Sequence, residues 1–215
     1  VMLGFAAALA GQGLAPFGED IQRGVLLALM DRPTVTVGDV EFTIGELNSQ
    51  DDQCSADGGQ SVANLFASSP EIVGVVGPMC SSACAAAGPI FDEANMTYIS
   101  GSCTAVSLTS EEEGFATFNR TTPNDDAQSV AAADFIINVL GIETIATIHD
   151  GSDYGEGLVA DVTELFEELG GEVVFADAIN VGDTDFRGLL DNIAETDAAL
   201  IYFGGFNQEG ARLAE

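Results

Sequence analysis

Short apolar runs rich in β-branched residues alternate with longer amphipathic stretches along this chain. The pattern predicts strands at Val1–Phe5, Val40–Ile44, Ile72–Val76, Thr97–Ser100, Thr144–His149, Glu172–Ala178 and Ala198–Phe203. Between them it predicts helices at Phe17–Met30, Gly59–Ala67, Ser82–Ala94, Ala127–Leu140, Gly155–Leu169, Phe186–Ile193 and Gln208–Glu215. Ile21, Val25, Ala28 and Leu29 fall on one helical face, as do Ala132, Phe135, Ile136 and Val139. Strict alternation of strand and helix implies right-handed βαβ crossovers, hence an α/β fold with doubly wound parallel sheets. The rhythm breaks at Thr121-Thr122-Pro123-Asn124-Asp125, where Pro123 ends an extended segment and Asn124 or Asp125 can cap the next helix. A hinge is expected there, with one α/β lobe over 1–121 and a second over 122–215. The chain stops inside a predicted helix at Glu215, so the second lobe and its return crossover are expected to be incomplete.

Composition narrows the classes. Among 215 residues, 47% are apolar and 19% charged, a globular composition long enough to bury a core. No run of about eighteen apolar residues is present to span a membrane as a helix. The start, Val1-Met2-Leu3-Gly4-Phe5, reads as a buried strand and not as a signal-peptide core, because no basic segment precedes it. Any export signal is expected to have been removed before Val1. Thirty-five acidic residues stand against five arginines and no lysine, a formal charge of −30. Such a surface repels phosphate backbones and anionic lipid heads, which argues against nucleic-acid binding and fits a solvated acidic exterior. The densest acidic run, Glu111-Glu112-Glu113, reads as an exposed loop; no EF-hand order of carboxylates occurs, and no metal site is expected. Cys54, Cys80, Cys84 and Cys103 lack the paired spacing of a zinc site and point to an oxidising compartment.

Candidate chemistry sits where open parallel sheets hold ligands, beyond the carboxyl ends of strands. Gly77-Pro78-Met79-Cys80-Ser81-Ser82 combines glycine, small hydroxyls and a helix N-terminus, a group of donors suited to a carboxylate. One of Ser81 and Ser82 is also expected to cap the helix. Ser100-Gly101-Ser102-Cys103-Thr104 offers hydroxyls and backbone carbonyls for both ends of a zwitterion, or is an ordinary Ser/Thr-rich turn. His149-Asp150-Gly151-Ser152-Asp153-Tyr154-Gly155 places Tyr154 at a helix start, and its lone histidine reads as a hydrogen-bonded structural residue.

Enzymatic readings find little purchase. Gly11, Gly13 and Gly18 miss the dinucleotide-binding spacing, no G-x-S-x-G elbow surrounds Ser81, and a Walker lysine is impossible. A Cys80–His149 nucleophile pair is conceivable only while Cys80 is a free thiol. Nothing in the sequence asks for a cofactor.

Six ordered segments resemble the branched-chain amino-acid (Leu/Ile/Val) binding proteins of the type I periplasmic binding-protein superfamily. They are the stretch from Gly11 to Gly24, Asp51-Asp52-Gln53-Cys54, Val76 through Ser82, Ile99 through Thr104, His149-Asp150 with Tyr154-Gly155-Glu156-Gly157-Leu158, and Tyr202-Phe203-Gly204-Gly205-Phe206. The resemblance implies a bilobed clamp that captures an amino acid or small carboxylate and presents it to an ABC permease. The localisation implied is periplasmic or extracellular, with any lipid anchor on a segment outside this chain. By that likeness Ser81 and Thr104 hold the ligand's carboxylate and ammonium, assisted by the backbone of the Ser102–Cys103 segment. Tyr154 closes from the second lobe, while Phe17 and Phe206 line the side-chain pocket at positions often tyrosine in the family. The family's acidic partner for the ammonium comes from a region beyond Glu215. Cys54 and Cys80 match the family's disulfide; closing that loop is worth about 3.5 kcal/mol. Cys84 and Cys103 have no counterpart in the prototype pattern, and their position beside both proposed ligand loops suggests a second bridge. A sensory ligand-binding domain is the alternative from another class, and a small-molecule enzyme the third. A chain with incomplete sheets is also expected to self-associate through bare edges.

Overall fold

The computed structural model describes residues 1–10 and 13–215. Gly11 and Gln12, which open the glycine-rich stretch of the resemblance, lie outside the described residues. The chain divides into two compact units, Val1–Thr122 and Pro123–Glu215.

The first unit is built on a five-stranded parallel sheet. Its strands are β1 (Met2–Ala7), β4 (Asn48–Asp51), β5 (Ile72–Val76), β6 (Tyr98–Ser100) and β7 (Phe118–Arg120), in the order β4-β1-β5-β6-β7. Chain order therefore reverses between β1 and β5, the switch point beside which such sheets hold ligands. Central β1 contributes Phe5, Ala6 and Ala7, all essentially inaccessible. Helices α2 (Ala56–Ala67) and α3 (Ser81–Glu93) bring Phe66 and Phe91 into the main core with Tyr98, Leu108 and Phe118. Tyr98 is the centre of an aromatic stack, 4.8 Å from the Phe91 ring and 5.1 Å from that of Phe118. Burial pushes its hydroxyl far above the ordinary tyrosine value. Helix α1 (Ala15–Asp31) follows β1 and buries only Gly18, whose added Cβ would stand 1.9 Å from the Ala8 carbonyl oxygen.

Strict strand–helix alternation is not what forms between α1 and α2. Thr34–Val37 (β2) and Val40–Thr43 (β3) make an antiparallel hairpin around Gly38, whose φ of +60° suits a two-residue turn. The strand predicted at Val40–Ile44 is thus half of this hairpin and takes no part in the parallel sheet. Edge strand β4 follows directly, its four polar residues invisible to a hydrophobic pattern.

The second unit has a three-stranded parallel sheet, β8 (Thr144–His149), β9 (Glu172–Ala178) and β10 (Leu200–Gly204), in the order β10-β8-β9. Ile145 of β8 packs with Ala133, Ile136 and Phe166 from α4 (Asp125–Asp134), the segment after it and α5 (Asp153–Glu168). Ala146 and Ile148 pack with Ile193 of α6 (Arg187–Ala194) and, at its edge, Leu213 of α7 (Asn207–Leu213). Helix α4 runs on into a π-helical turn, Phe135–Val139. The wider turn shifts the buried face, so Ile136 is buried while Phe135 and Val139, predicted on the same face, are exposed. Among the described residues, no helix is long and apolar enough to cross a membrane.

Candidate functional site

In the first unit, two loops meet at the carboxyl ends of β5 and β6. The chain leaves β5 through Gly77, which has φ +106° and would place a Cβ 1.9 Å from the Ala6 carbonyl oxygen. Only glycine fits there. The Gly77–Pro78 peptide is cis. Buried Asp52 then joins two segments, accepting from the Cys54 N–H at 2.8 Å and the Met79 N–H at 2.9 Å. Burial raises the Asp52 pKa, and those two amide bonds oppose the rise without cancelling it.

Ser81 is the first residue of α3. The N-cap position is Cys80, which makes no side-chain capping bond. The Ser81 hydroxyl turns instead to the neighbouring loop and accepts from the Thr104 and Ala105 N–H groups, each at 3.2 Å. Ser81 is only 2% exposed. With two amides on its oxygen, its hydroxyl proton remains to be donated. Ser100, fully buried, organises the loop from below. Its hydroxyl donates to the Pro78 carbonyl at 2.7 Å and accepts from the N–H groups of Ser102 and Cys103 at 3.2 and 2.9 Å. Ser102 donates its own hydroxyl to the Met79 carbonyl. Arg120 closes the outer side, donating to the carbonyls of Cys103 and Ala105 at 3.1 and 3.0 Å and to the Thr109 hydroxyl. Cys54–Cys80 and Cys84–Cys103 are both disulfides, so Cys80 offers no nucleophile.

Of the residues singled out in the sequence, Ser81 and Thr104 are thus directly joined. Ser102 is exposed, but its N–H is turned inward to Ser100. Cys103 is fully buried with its sulfur, N–H and C=O all engaged inside this unit, so it supports the loop and offers a ligand none of these groups. Phe17 stands in the first turn of α1, 55% exposed.

In the second unit, Tyr154 lies in the first turn of α5, where Ser152 caps the helix by accepting from the Gly155 N–H. The Tyr154 ring is 5.7 Å from that of Phe206, the residue before α7, and its hydroxyl accepts from the Gln128 side chain at 3.0 Å. Burial raises the Tyr154 pKa; the Gln128 bond lowers it, and Asp125 and Asp150 add to the rise. Tyr202 is pushed up to about 12 by burial, with Tyr154 and Asp125 reinforcing. Asp150 accepts from the N–H and hydroxyl of Ser152. Asn124, at the N-cap position of α4, makes no side-chain capping bond and holds the Asp126 carboxylate, while Asp125 is buried. His149 accepts from the Gly151 N–H at 3.2 Å, a local structural contact. A concavity of about 1040 Å³ lies against α5, β8 and β9, lined by His149, Glu156, Glu164, Glu167, Glu168 and Asp177 among others. Its five acidic residues would repel an anion.

Asp52, Arg120 and Gln128 had no role in the sequence reading. Asp52 sits in a segment that carried the resemblance, which is the one signal that marked it; Arg120 and Gln128 carried none.

Two α/β units, each with its switch point and hydroxyl- or tyrosine-bearing loops at the carboxyl ends of strands, define the type I periplasmic binding-protein class of ligand-binding fold. The chain belongs to the receptor family ligand binding region, whose pattern matches residues 31–213. It is 32% identical over 213 residues to an amino acid binding protein of Pseudomonas aeruginosa, covering 99% of this chain and 56% of that one. It is 32% identical over 211 residues to a Leu/Ile/Val/Thr-binding protein of Salmonella typhimurium, covering 90% and 57%. Among crystal structures, a leucine binding protein from Thermotoga maritima superposes with TM-score 0.89 at 24% identity, over 100% of this chain and 59% of the other. An ABC transporter solute binding protein from R. palustris in complex with benzoate gives TM-score 0.81 at 22% identity, over 95% and 54%. The chain spans little more than half the length of these relatives.

Proposed function

We propose that this chain is the ligand-capturing part of an extracytoplasmic solute-binding protein that serves an ABC importer. Its ligand is a small amino acid or related carboxylate, held reversibly and without chemical conversion. The observation that carries this reading is the junction of Ser81 and Thr104. A buried hydroxyl with a proton to donate sits at the N-terminus of α3, tied to the loop that bears Thr104, and together they suit a carboxylate beside a polar head group. The relatives' names extend the reading to amino acids, and the benzoate complex extends it to carboxylates without an ammonium. Within the second unit, Tyr154 and Phe206 form an aromatic pair of their own, at positions that the likeness assigns to ligand contact. An importer's permease as partner, and a periplasmic or cell-surface location, follow from the same likeness. The family's description as a receptor region supports a sensory domain as a second reading.

Calorimetric titration of the full-length protein with leucine, isoleucine, valine, threonine and benzoate tests the proposal. Wild type is expected to bind at least one of them, and Ser81→Ala and Thr104→Ala to weaken it by roughly tenfold to a hundredfold each, as for a hydrogen bond to a charged group. Absence of binding across the panel, or variants that bind like wild type, would overturn it.

A further inference from the structure

The two disulfides of the first unit occupy different places. Cys54–Cys80 joins the segment before α2 to the N-cap of α3. Cys84–Cys103 joins the first turn of α3 to the middle of the loop after β6, with Cα atoms 6.5 Å apart. Cys84 follows Ser81 by three residues, about one helical turn, and Cys103 immediately precedes Thr104. The bridge therefore ties together the helix turn and the loop that carry the two proposed ligand hydroxyls. Both cysteines are inaccessible, and the Pro78 carbonyl oxygen lies 3.5 Å from the Cys84 sulfur and 3.3 Å from that of Cys103. That same carbonyl receives the Ser100 hydroxyl, so one covalent link touches all the segments that build the site.

Resting on the solute-binding reading above, we propose that Cys84–Cys103 is a positioning bridge that sets ligand affinity by holding Thr104 in register with Ser81. Residues 101–105 lie outside every strand and helix, so no backbone ladder fixes them. Their order comes from bonds to Ser100, Ser81 and Arg120, from the Ser102 hydroxyl bound to the Met79 carbonyl, and from the bridge. On its strand side the loop begins at Gly101, where an added Cβ would meet no neighbouring atom, so no side-chain packing holds that end. Bonds to side chains can open and reclose one at a time; a covalent link cannot. Without the bridge the loop samples more conformations when empty, and binding has to order it. With the bridge that ordering is already present in the free protein.

The test compares the full-length wild type with Cys84→Ala/Cys103→Ala and, as a second unbridged form that fills more of the space, Cys84→Ala/Cys103→Val. Val62→Ala, in the same core but on α2 and part of neither loop, is the control for stability alone. The probes are the titration panel above, used well below each melting temperature, and amide hydrogen exchange at residues 102–105. Both unbridged forms are expected to bind roughly tenfold more weakly, the loss lying mainly in the dissociation rate, with faster exchange at 102–105 and unchanged exchange in β1 and β5. Val62→Ala is expected to lower the melting temperature and leave affinity unaltered. Unbridged forms that bind within twofold of wild type and keep their protection at 102–105 overturn the proposal, because the bridge then serves stability alone. Failure of both forms to fold overturns it too, by making the bridge a folding element. Exchange needs no ligand; a wild type that binds nothing in the panel defeats the functional reading, while protection at 102–105 still decides the role of the bridge.

Discussion

The Ser100 hydroxyl serves three partners at once, donating to Pro78 and accepting from the amides of Ser102 and Cys103. Ser100→Ala leaves both amides and one carbonyl short of a partner in a buried place. A loss of about 1–3 kcal/mol is expected from urea unfolding, larger than the same change at the exposed Ser107. Asp52 carries a pH signature of definite sign. Burial raises its folded pKa above the ordinary aspartate value, so between the two values the folded state holds more protons than the unfolded one. Its contribution to stability therefore falls as pH rises through that window. Asp52→Asn has no such dependence, although it leaves one of two amide donors facing an NH₂ group. The penalty of Asp52→Asn is accordingly expected to be larger near pH 4 than at pH 7, read from paired urea melts. The hydroxyls at Ser81, Ser102 and Thr104 were legible in the sequence because small polar residues after a β-branched run mark a strand end. The partners were not legible. Which amide Ser100 or Asp52 meets depends on which strand lies beside which, and the order β4-β1-β5-β6-β7 is not written in any local window.

Close approach of α2 and α3 is what brings the Cys54 segment and the start of α3 together. It depends on Gly59, where an added Cβ would lie 2.2 Å from the Ala83 carbonyl oxygen and 2.6 Å from its Cα. Backbone atoms cannot yield as a flexible side chain can, so Gly59→Ala must push the helices apart. A loss of about 2–3 kcal/mol is expected, seen as a lower melting temperature with helical circular dichroism retained at low temperature. At this scale the sequence spoke clearly where packing and pattern agree: β1, β5, β8, β9 and β10 all read as apolar strands. It failed where a strand is defined only by its neighbour. Asn48-Ser49-Gln50-Asp51 has no apolar residue and becomes β4 because the β1 edge is there to pair with it. The π turn at Phe135–Val139 likewise escapes a 3.6-residue period, and two residues predicted inside are outside.

Across the whole chain, thirty-five acidic residues against five basic ones leave a net charge of −30. Three of the four acidic partners of arginine described, Glu19, Asp20 and Asp31, lie on α1, and all four pairs join well-exposed residues no more than four apart, so they offset little of that repulsion. Asp161 shows the strain locally: burial raises its pKa first, and Asp126 and Glu164 add to the rise. A carboxylate raised in this way has the same sign as Asp52, costing stability once it is ionised at neutral pH. The compact state crowds like charges that the unfolded chain spreads apart, and salt shortens the reach of that repulsion from about 10 Å at 0.1 M to about 3 Å at 1 M. The melting temperature at pH 7 is therefore expected to rise by about 5 °C between 0.1 M and 1 M sodium chloride, and to rise again at low salt when pH is lowered from 7 to 5. The salt increment should shrink at pH 5, because there is less charge left to screen. That interaction separates repulsion from the general salting-out of apolar surface, which would raise stability equally at both pH values. A melting temperature indifferent to salt would mean that the acidic residues lie far enough apart in the folded chain for water alone to screen them.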